Sequence, residues 1–278
     1  CINRITMELS NIQTATIVKR PSAMCKTPYV ADIQINEEMY MGHCPALGCC
    51  GLSDKGATVM VTSVVSKTNK CQYRVDLAIY QDENKKDESV IVGINPKLAE
   101  NIMNHLLQTN TCPFVKRKSF AREKSMLNSR FDFMGVDDNE RTFVMEIKNV
   151  PLADYVDVPK KERKKYNTSH LPFNEKIAYF PDGYRKNSTD VVSPRALKHV
   201  EELEIVAKTT DFRAILCFVI QRPDVTTFQP SNIDLTYKAA VQRAWKNGVE
   251  IYALQMVWNK EGKCTYKKCL PVVLFEEY

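Results

Sequence analysis

No stretch of this 278-residue sequence approaches the roughly 18 consecutive apolar residues of a membrane-crossing helix, which excludes an integral membrane protein of that kind. The ten cysteines include no C-x-x-C pair, and a chain of this length has no need of disulfide staples. Several cysteines, such as Cys217 in AILCFVI, sit inside apolar runs, the pattern of a reduced intracellular protein. A zinc-stabilised structural protein would have to draw on His43, Cys44, Cys49, Cys50 and Cys71, together with the Cys264 and Cys269 pair, whose spacing is looser than that of ordinary zinc sites. The start carries no secretory pattern, and a beginning at Cys1 rather than Met leaves room for residues lost upstream, a targeting segment among them. The expected location is intracellular: cytoplasm, nucleus or an organelle.

What is present is an apolar share of 44% and a charged share of 26%, the composition of a globular protein with a substantial core. The length allows one large domain or two ordinary ones, and two are expected. The net charge of +6 matters less than its placement. Lys116, Arg117, Lys118, Arg122 and Lys124 crowd before residue 125, and Lys160, Lys161, Arg163, Lys164 and Lys165 follow some 35 residues later. Such clusters suit a polyanion, since phosphate contacts dominate nucleic-acid affinity, but they equally make a solvated face.

Between Tyr29 and Tyr80 short β-branched runs (YVADIQI, ATVMVTSVV, YRVDLAIY) alternate with turn signals at Gly48, Gly51, Asp54 and Gly56, which predicts a small antiparallel barrel. Residues 1–27 contain Ile2, Ile5, Leu9 and Ile12 without a clear period. The acidic and basic run Asp82–Glu88 reads as a solvated loop. Pro96 opens a helix with Leu98, Ile102, His105 and Leu106 on one stripe, expected to lead out of the first domain near residues 108–113.

In the C-terminal half, residues 151–178 are polar, proline-punctuated and lysine-rich, and read as a basic insertion or mobile loop. Ser193 is a good N-cap and Pro194 a good first helical residue; the helix keeps Leu197, Val200, Leu203 and Ala207 on one side and Arg195, Lys198 and Glu202 on another. Arg213–Ile220 is a continuous apolar strand of the kind covered on both faces. IDLTYKAAVQRAWKNG is a helix stopped by Gly248, and VEIYAL is a further strand. The pattern is an α/β layer with helices on a mixed sheet.

The stretch Glu123–Val150 carries the chemistry. It reads as two apolar strands joined by an acidic turn. Alternation places Phe143, Met145 and Ile147 on one face and Val144, Glu146 and Lys148 on the other. Asp132 comes beside them if the strands are antiparallel neighbours. Two carboxylates are oxygen ligands of the hard type that Mg²⁺ prefers, and Lys148 can orient a water or stabilise charge on phosphate. Glu123 offers a further carboxylate, and Arg195 and Lys198 can hold phosphate if their helix faces the site. By spacing alone, the same D and E-x-K pattern could be an accident of strand surfaces.

Taken in order, HCPALGCCGL, VGINPKLAENI, REKSMLNSRFDF, FVMEIKNV, YFPDG, SPRALKHVEEL and KKCLPVVL resemble the sugar fermentation stimulation family over most of the chain. The resemblance implies an α+β and α/β two-domain protein, with an N-terminal OB-like β-barrel followed by a restriction-endonuclease-like mixed sheet flanked by helices, of the PD-(D/E)xK type. The domains would be 1–110 and 111–278. It implies DNA binding and a divalent-metal-dependent nuclease, or a non-catalytic DNA-binding regulatory protein that keeps the nuclease fold, with RNA the other polyanion left open. It further implies metal, Mg²⁺ or Mn²⁺, at Asp132, Glu146 and the Ile147 backbone carbonyl, with Lys148 as the third signature residue. Glu123 and Lys198 join the catalytic set; Arg130, Arg195 and His199 join Lys116, Arg117, Lys118, Arg122 and Lys124 as nucleic-acid contacts, and Asp182 carries over without a defined role. Where the family usually reads HCPNTG this chain has Ala46 and Leu47, which predicts a weaker grip by that barrel loop.

Overall fold

The computed structural model describes residues 5–47, 49, 51–64, 70–82, 85–183 and 190–275. Ile2, Gly48, Cys50, Glu83 and Asn84, which figured in the sequence reading, lie outside the described residues. A first strand, β1 (Ile5–Glu8), does not join the barrel that follows; it pairs antiparallel with the last strand of the chain.

The barrel is built from β2 (Ile12–Lys19), β3 (Val30–Ile35), β4 (Glu38–His43), β5 (Thr58–Ser63) and β6 (Tyr73–Asp82), with β7 (Lys85–Gly93) appended to β6. Five strands close in the order β2-β3-β4-β6-β5, the β4–β6 seam being parallel and short, Gly42 opposite Tyr73 and His43 opposite Arg74. This is an OB-like closed barrel. Ala15, Ile17, Ala31, Ile33, Val59, Val61 and Val75 alternate into its interior and are buried there. Of the supposed solvated loop at Asp82–Glu88, Asp82 and Lys85–Glu88 are instead part of the paired strands β6 and β7, whose register runs from Leu77–Gly93 out to Asp82–Lys85.

Helix α1 (Pro96–Gln108) starts as predicted, with the Asn95 side chain accepting from Lys97 N–H and Pro96 at the first position. Rather than merely leading out of the barrel, it lays Leu98, Ile102, Met103 and Leu106 against Phe143, Met145 and Ile147 of the second sheet. That sheet has seven strands, ordered β1-β16-β15-β13-β10-β9-β8: β8 (Arg117–Met126), β9 (Ser129–Asp137), β10 (Thr142–Asn149), β13 (Arg213–Ile220), β15 (Glu250–Trp258) and β16 (Lys263–Cys269), with β1 at the edge. Strands β10, β13 and β15 are mutually parallel and the rest antiparallel. The opposite face carries α3 (Pro194–Thr209) and α4 (Leu235–Lys246), so β13 is buried on both sides. Ser193 and Asp234 cap these helices, and Gly248, at φ +97°, follows α4 in the left-handed conformation that ends it.

The segment 151–178 is a correction to the sequence reading. It contributes β11 (Ala153–Asp154), the single-turn α2 (Lys160–Arg163) and the start of β12 (Lys176–Phe180), which form a small sheet with β14 (Val225–Pro230). Polar anchors do what apolar residues do elsewhere. Buried Asp157 accepts from Gln229 Nε2, Ser231 Oγ and Asn232 N–H, each at 2.7 Å. Arg163 ties Asp154 (2.8 Å), the Tyr179 hydroxyl (2.6 Å) and Asp182 (3.6 Å) together, which makes Asp182 part of a structural latch.

Barrel and sheet meet at two polar joints. At one, Gly93 N–H donates to the Gln221 carbonyl (2.9 Å), Asn149 Nδ2 to Gly93 O (3.1 Å), Gln221 Nε2 to Asn149 Oδ1 (2.7 Å), and the Trp258 indole to Gln221 Oε1 (2.8 Å). A Cβ on residue 93 would stand 2.3 Å from Gln221 Oε1, so only glycine fits. At the other, buried Lys176 lies 3.4 Å from Asp224 and 3.7 Å from Asp82, its ammonium 3.6 Å from the centre of the Phe173 ring. Asp224 also takes a bidentate pair from Arg222, both bonds 2.7 Å. Among the described residues no helix is long and apolar enough to cross a membrane.

Candidate active site

Alternation along β10 sorts its side chains as expected: Phe143, Met145 and Ile147 pack towards α1, while Val144 joins the cluster under α3 and α4 and Glu146 and Lys148 follow on that face. The β9–β10 ladder runs from Thr142–Val136 to Met145–Phe133 and stops there, whereas β10 stays paired with β13 as far as Asn149. The two strands therefore part at residue 146. Ile147 N–H, left without a ladder partner, donates to Asp132 Oδ2 at 2.7 Å. Because N–H and C=O of a strand residue leave from the same edge, the Ile147 carbonyl also points into this opening.

Glu146 is buried at the bottom of it. Lys148 Nζ donates to its Oε1 at 2.5 Å, and His199 Nδ1 bonds the same oxygen from α3 while standing 3.5 Å from Lys148 Nζ. Both donors converge on Oε1, and the buried Oε2 has no hydrogen-bond partner among the described residues. Burial alone would raise the Glu146 carboxyl, but His199 and Lys148 hold it below its ordinary value. Asp132 behaves oppositely. Burial, the Glu146 charge and, more weakly, Glu100 push it up to about 7, against the Ile147 N–H and Lys148. A buried carboxylate oxygen without a hydrogen-bond partner among the described residues thus lies near a second carboxyl whose pKa is raised. The donor set is hard oxygen throughout, which fits Mg²⁺, Mn²⁺ or Ca²⁺. Among the described residues no group of three or more His, Cys, Asp and Glu side chains is assembled for a metal.

The outer residues are sorted differently from the sequence expectation. His199, expected among the nucleic-acid contacts, is buried on Glu146 and cannot reach a phosphate backbone. Glu123, at φ +54°, stands across β8–β9 from Asp132, between the registered pairs Arg122–Phe133 and Lys124–Phe131, and bonds Arg130 and Lys97. Arg117 caps the end of α1 through Leu107 O (2.8 Å) and Gln108 O (2.7 Å). Lys116 donates to Asn110 O, Lys118 pairs with Glu140, and Arg122 reaches Glu100 at 3.5 Å. Lys198 Nζ donates to Asn128 O at 2.7 Å, on the β8–β9 turn, rather than to the carboxylates. Lys124 and Arg195 are exposed and have no partner among the described residues.

Sequence reasoning missed Glu100 and Lys97, which α1 delivers to the rim; Lys97 Nζ lies 2.5 Å from Glu100 and 3.5 Å from Glu123. Their only signal was position, on the polar flank of an otherwise apolar stripe. It also missed Tyr237 on α4, whose fully buried hydroxyl has no partner among the described residues and feels the Glu146 charge. Among the described residues, which leave out Cys50, the barrel thiols do not make a metal cluster, and burial pushes Cys44 up to about 11 and Cys49 up to about 12.

A model of the sugar fermentation stimulation protein RE domain matches residues 97–160 and 162–262. A sugar fermentation stimulation protein homolog of Clostridium novyi is 28% identical over 249 residues, covering 88% of this chain and 91% of that protein. One from Clostridium tetani is 28% identical over 267 residues, 95% and 98% of the two chains. The structure of Pyrococcus furiosus SfsA in complex with Ca²⁺ superimposes with a TM-score of 0.72 at 19% identity, over 97% of this chain and 99% of that one, which shows a shared fold.

Proposed function

The chain belongs to the sugar fermentation stimulation protein family, and from that premise we propose that it binds DNA and hydrolyses its phosphodiester bonds with a divalent metal at Asp132 and Glu146. One observation carries this reading: the buried Glu146 Oε2, without a partner among the described residues, beside a second carboxyl that burial and the Glu146 charge push up to about 7. The Ile147 carbonyl completes an all-oxygen donor set, and Glu100 adds a carboxylate at the rim. Mg²⁺ and Mn²⁺ are the expected ions; the Ca²⁺ of the P. furiosus protein is a hard cation with the same ligand preference.

The bound ion supplies charge neutralisation on phosphate and an acidified water. The chain's own groups do the rest. His199 and Lys148 fix one oxygen of Glu146, so that the other keeps its direction. Lys148, held on Glu146, puts its ammonium beside the carboxylate, where it can stabilise the charge that develops on a phosphoryl oxygen. Lys124 and Arg195, exposed and without a partner among the described residues, are cations that can take phosphate without breaking an internal bond shown there. Purified protein is expected to nick or degrade DNA on addition of Mg²⁺ or Mn²⁺, and Asp132→Ala, Glu146→Ala and Lys148→Ala each to abolish the reaction while retaining the wild-type circular dichroism. Cleavage that survives all three substitutions sinks the reading. Metal-independent, salt-sensitive DNA retention without cleavage would replace it with a non-catalytic DNA-binding protein.

A further inference from the structure

A buried hydroxyl ordinarily finds an acceptor, and that of Tyr237 has none among the described residues. Tyr237 stands in the first turn of α4, where its N–H donates to the capping Asp234 Oδ1 at 3.0 Å. Asp234 Oδ2 accepts the Val192 N–H at 2.7 Å, just ahead of α3, so one carboxylate ties together the starts of the two helices on the Glu146 face of the sheet. From α4 the Tyr237 ring enters the core edge-on to Phe180, with centroids 5.4 Å apart. Phe180 in turn stands 6.0 Å from Phe218, the residue opposite Lys148 in the β10–β13 register. The same cluster holds Val144, two residues before Glu146, and Val200, the neighbour of His199.

Every one of these apolar contacts would serve a phenylalanine as well. Only the hydroxyl sets tyrosine apart, and burying it without a partner is costly. Glu146 Oε2 presents the complementary case: Tyr237 offers a donor without an acceptor, and Glu146 an acceptor without a donor. Burial first, then the Glu146 and Asp234 charges, push the phenol well above its ordinary value, so it keeps the proton it has to give. The two atoms are not bonded directly, and whatever joins them has to accept from one and donate to the other. A water does both.

We propose that Tyr237 is a positioning residue for the metal-binding carboxylate: its hydroxyl donates to a water that donates to Glu146 Oε2, holding that oxygen as His199 and Lys148 hold Oε1. A carboxylate oxygen has two lone pairs, so the water takes one and leaves the other for a divalent ion. The helices joined at Asp234 then grip both oxygens of Glu146, α3 through His199 and α4 through Tyr237.

This rests on the divalent-metal reading of Glu146, and the test separates the two. Mn²⁺ binding to the full chain is measured by calorimetry. Tyr237→Phe, which deletes only the hydroxyl, is expected to weaken Mn²⁺ about tenfold in a protein whose circular dichroism matches wild type. Tyr155→Phe removes another buried hydroxyl without a partner among the described residues, next to Lys176, and is expected to bind Mn²⁺ as wild type does. In EDTA, Tyr237→Phe, Glu146→Gln and the double variant are unfolded with denaturant. Once the bridge is broken from one side, breaking it from the other has no further effect, so the midpoint shift of the double variant is expected to depart from the sum of the single shifts. Wild-type Mn²⁺ affinity in Tyr237→Phe, an equal loss in Tyr155→Phe, or additive shifts overturns the proposal. If wild-type protein binds no Mn²⁺ while the shifts are non-additive, the metal reading fails and the bridge stands. Mn²⁺ affinity that depends on Tyr237 in a protein that cleaves no DNA overturns only the nuclease.

Discussion

At the scale of single residues, the site depends on Glu146 being pulled two ways. His199 is not in reach of substrate, yet it sets which Glu146 oxygen is free. His199→Ala is expected to weaken Mn²⁺ binding about 10–100-fold by calorimetry, as loss of an orienting partner does, while a structural role alone would lower the melting temperature and leave the affinity of the folded fraction unchanged. The pairing of Glu146 with Lys148 was legible in sequence because a strand repeats every two residues. The pairing with His199 was not, because residues 53 apart meet only once α3 lies on the sheet. Glu100 was hidden for the same reason: its place on α1 is clear from the sequence, but only packing aims that helix at Asp132.

At the scale of elements, strong local signals held. Capped helices with apolar stripes, the buried β13 and the alternating β10 follow the sequence pattern closely. The weaker elements are those that lack such a pattern. Strand β4, EMYMGH, is half polar and is defined by its partner, and 151–178 is ordered by Asp157 and Arg163, side chains whose partners lie elsewhere in the chain. Asp157→Ala is therefore expected to loosen this segment, detected as faster amide exchange over β11 and β12, because it removes three hydrogen bonds to a buried carboxylate. Gly93→Ala is expected to cost about 1–3 kcal/mol in denaturant unfolding, since the added methyl must displace Gln221. If that substitution leaves stability unchanged, the joint is looser than its contacts indicate.

At the scale of the whole molecule, barrel and sheet are held as one by buried charge. Burial alone would raise the Asp224 carboxyl, but Arg222 and Lys176 hold it below its ordinary value. A depressed carboxylate contributes stability that is complete above the unfolded pKa, about 4, and lost as pH falls through the folded one. The wild-type melting temperature is accordingly expected to fall below about pH 4. Asp224→Asn is expected to show a shallower fall, on a baseline lowered by about 3–5 kcal/mol at pH 7 because Arg222 is left unpaired. The same buried group also explains why two-domain organisation reads easily from sequence and the contact between the two parts does not: Asp82, Lys176, Arg222 and Asp224 look like surface residues until they meet.

The indole that closes the Gly93–Gln221 joint gives the molecule a built-in optical probe. The sequence has only two tryptophans, and they differ sharply: Trp258 is buried and bonded to Gln221, while Trp245 lies half exposed on α4. Acrylamide silences the second first. The emission that remains comes from the point where barrel and sheet touch, so a shift in its colour when a nucleic-acid strand binds would report whether the two parts move against each other, with no label attached.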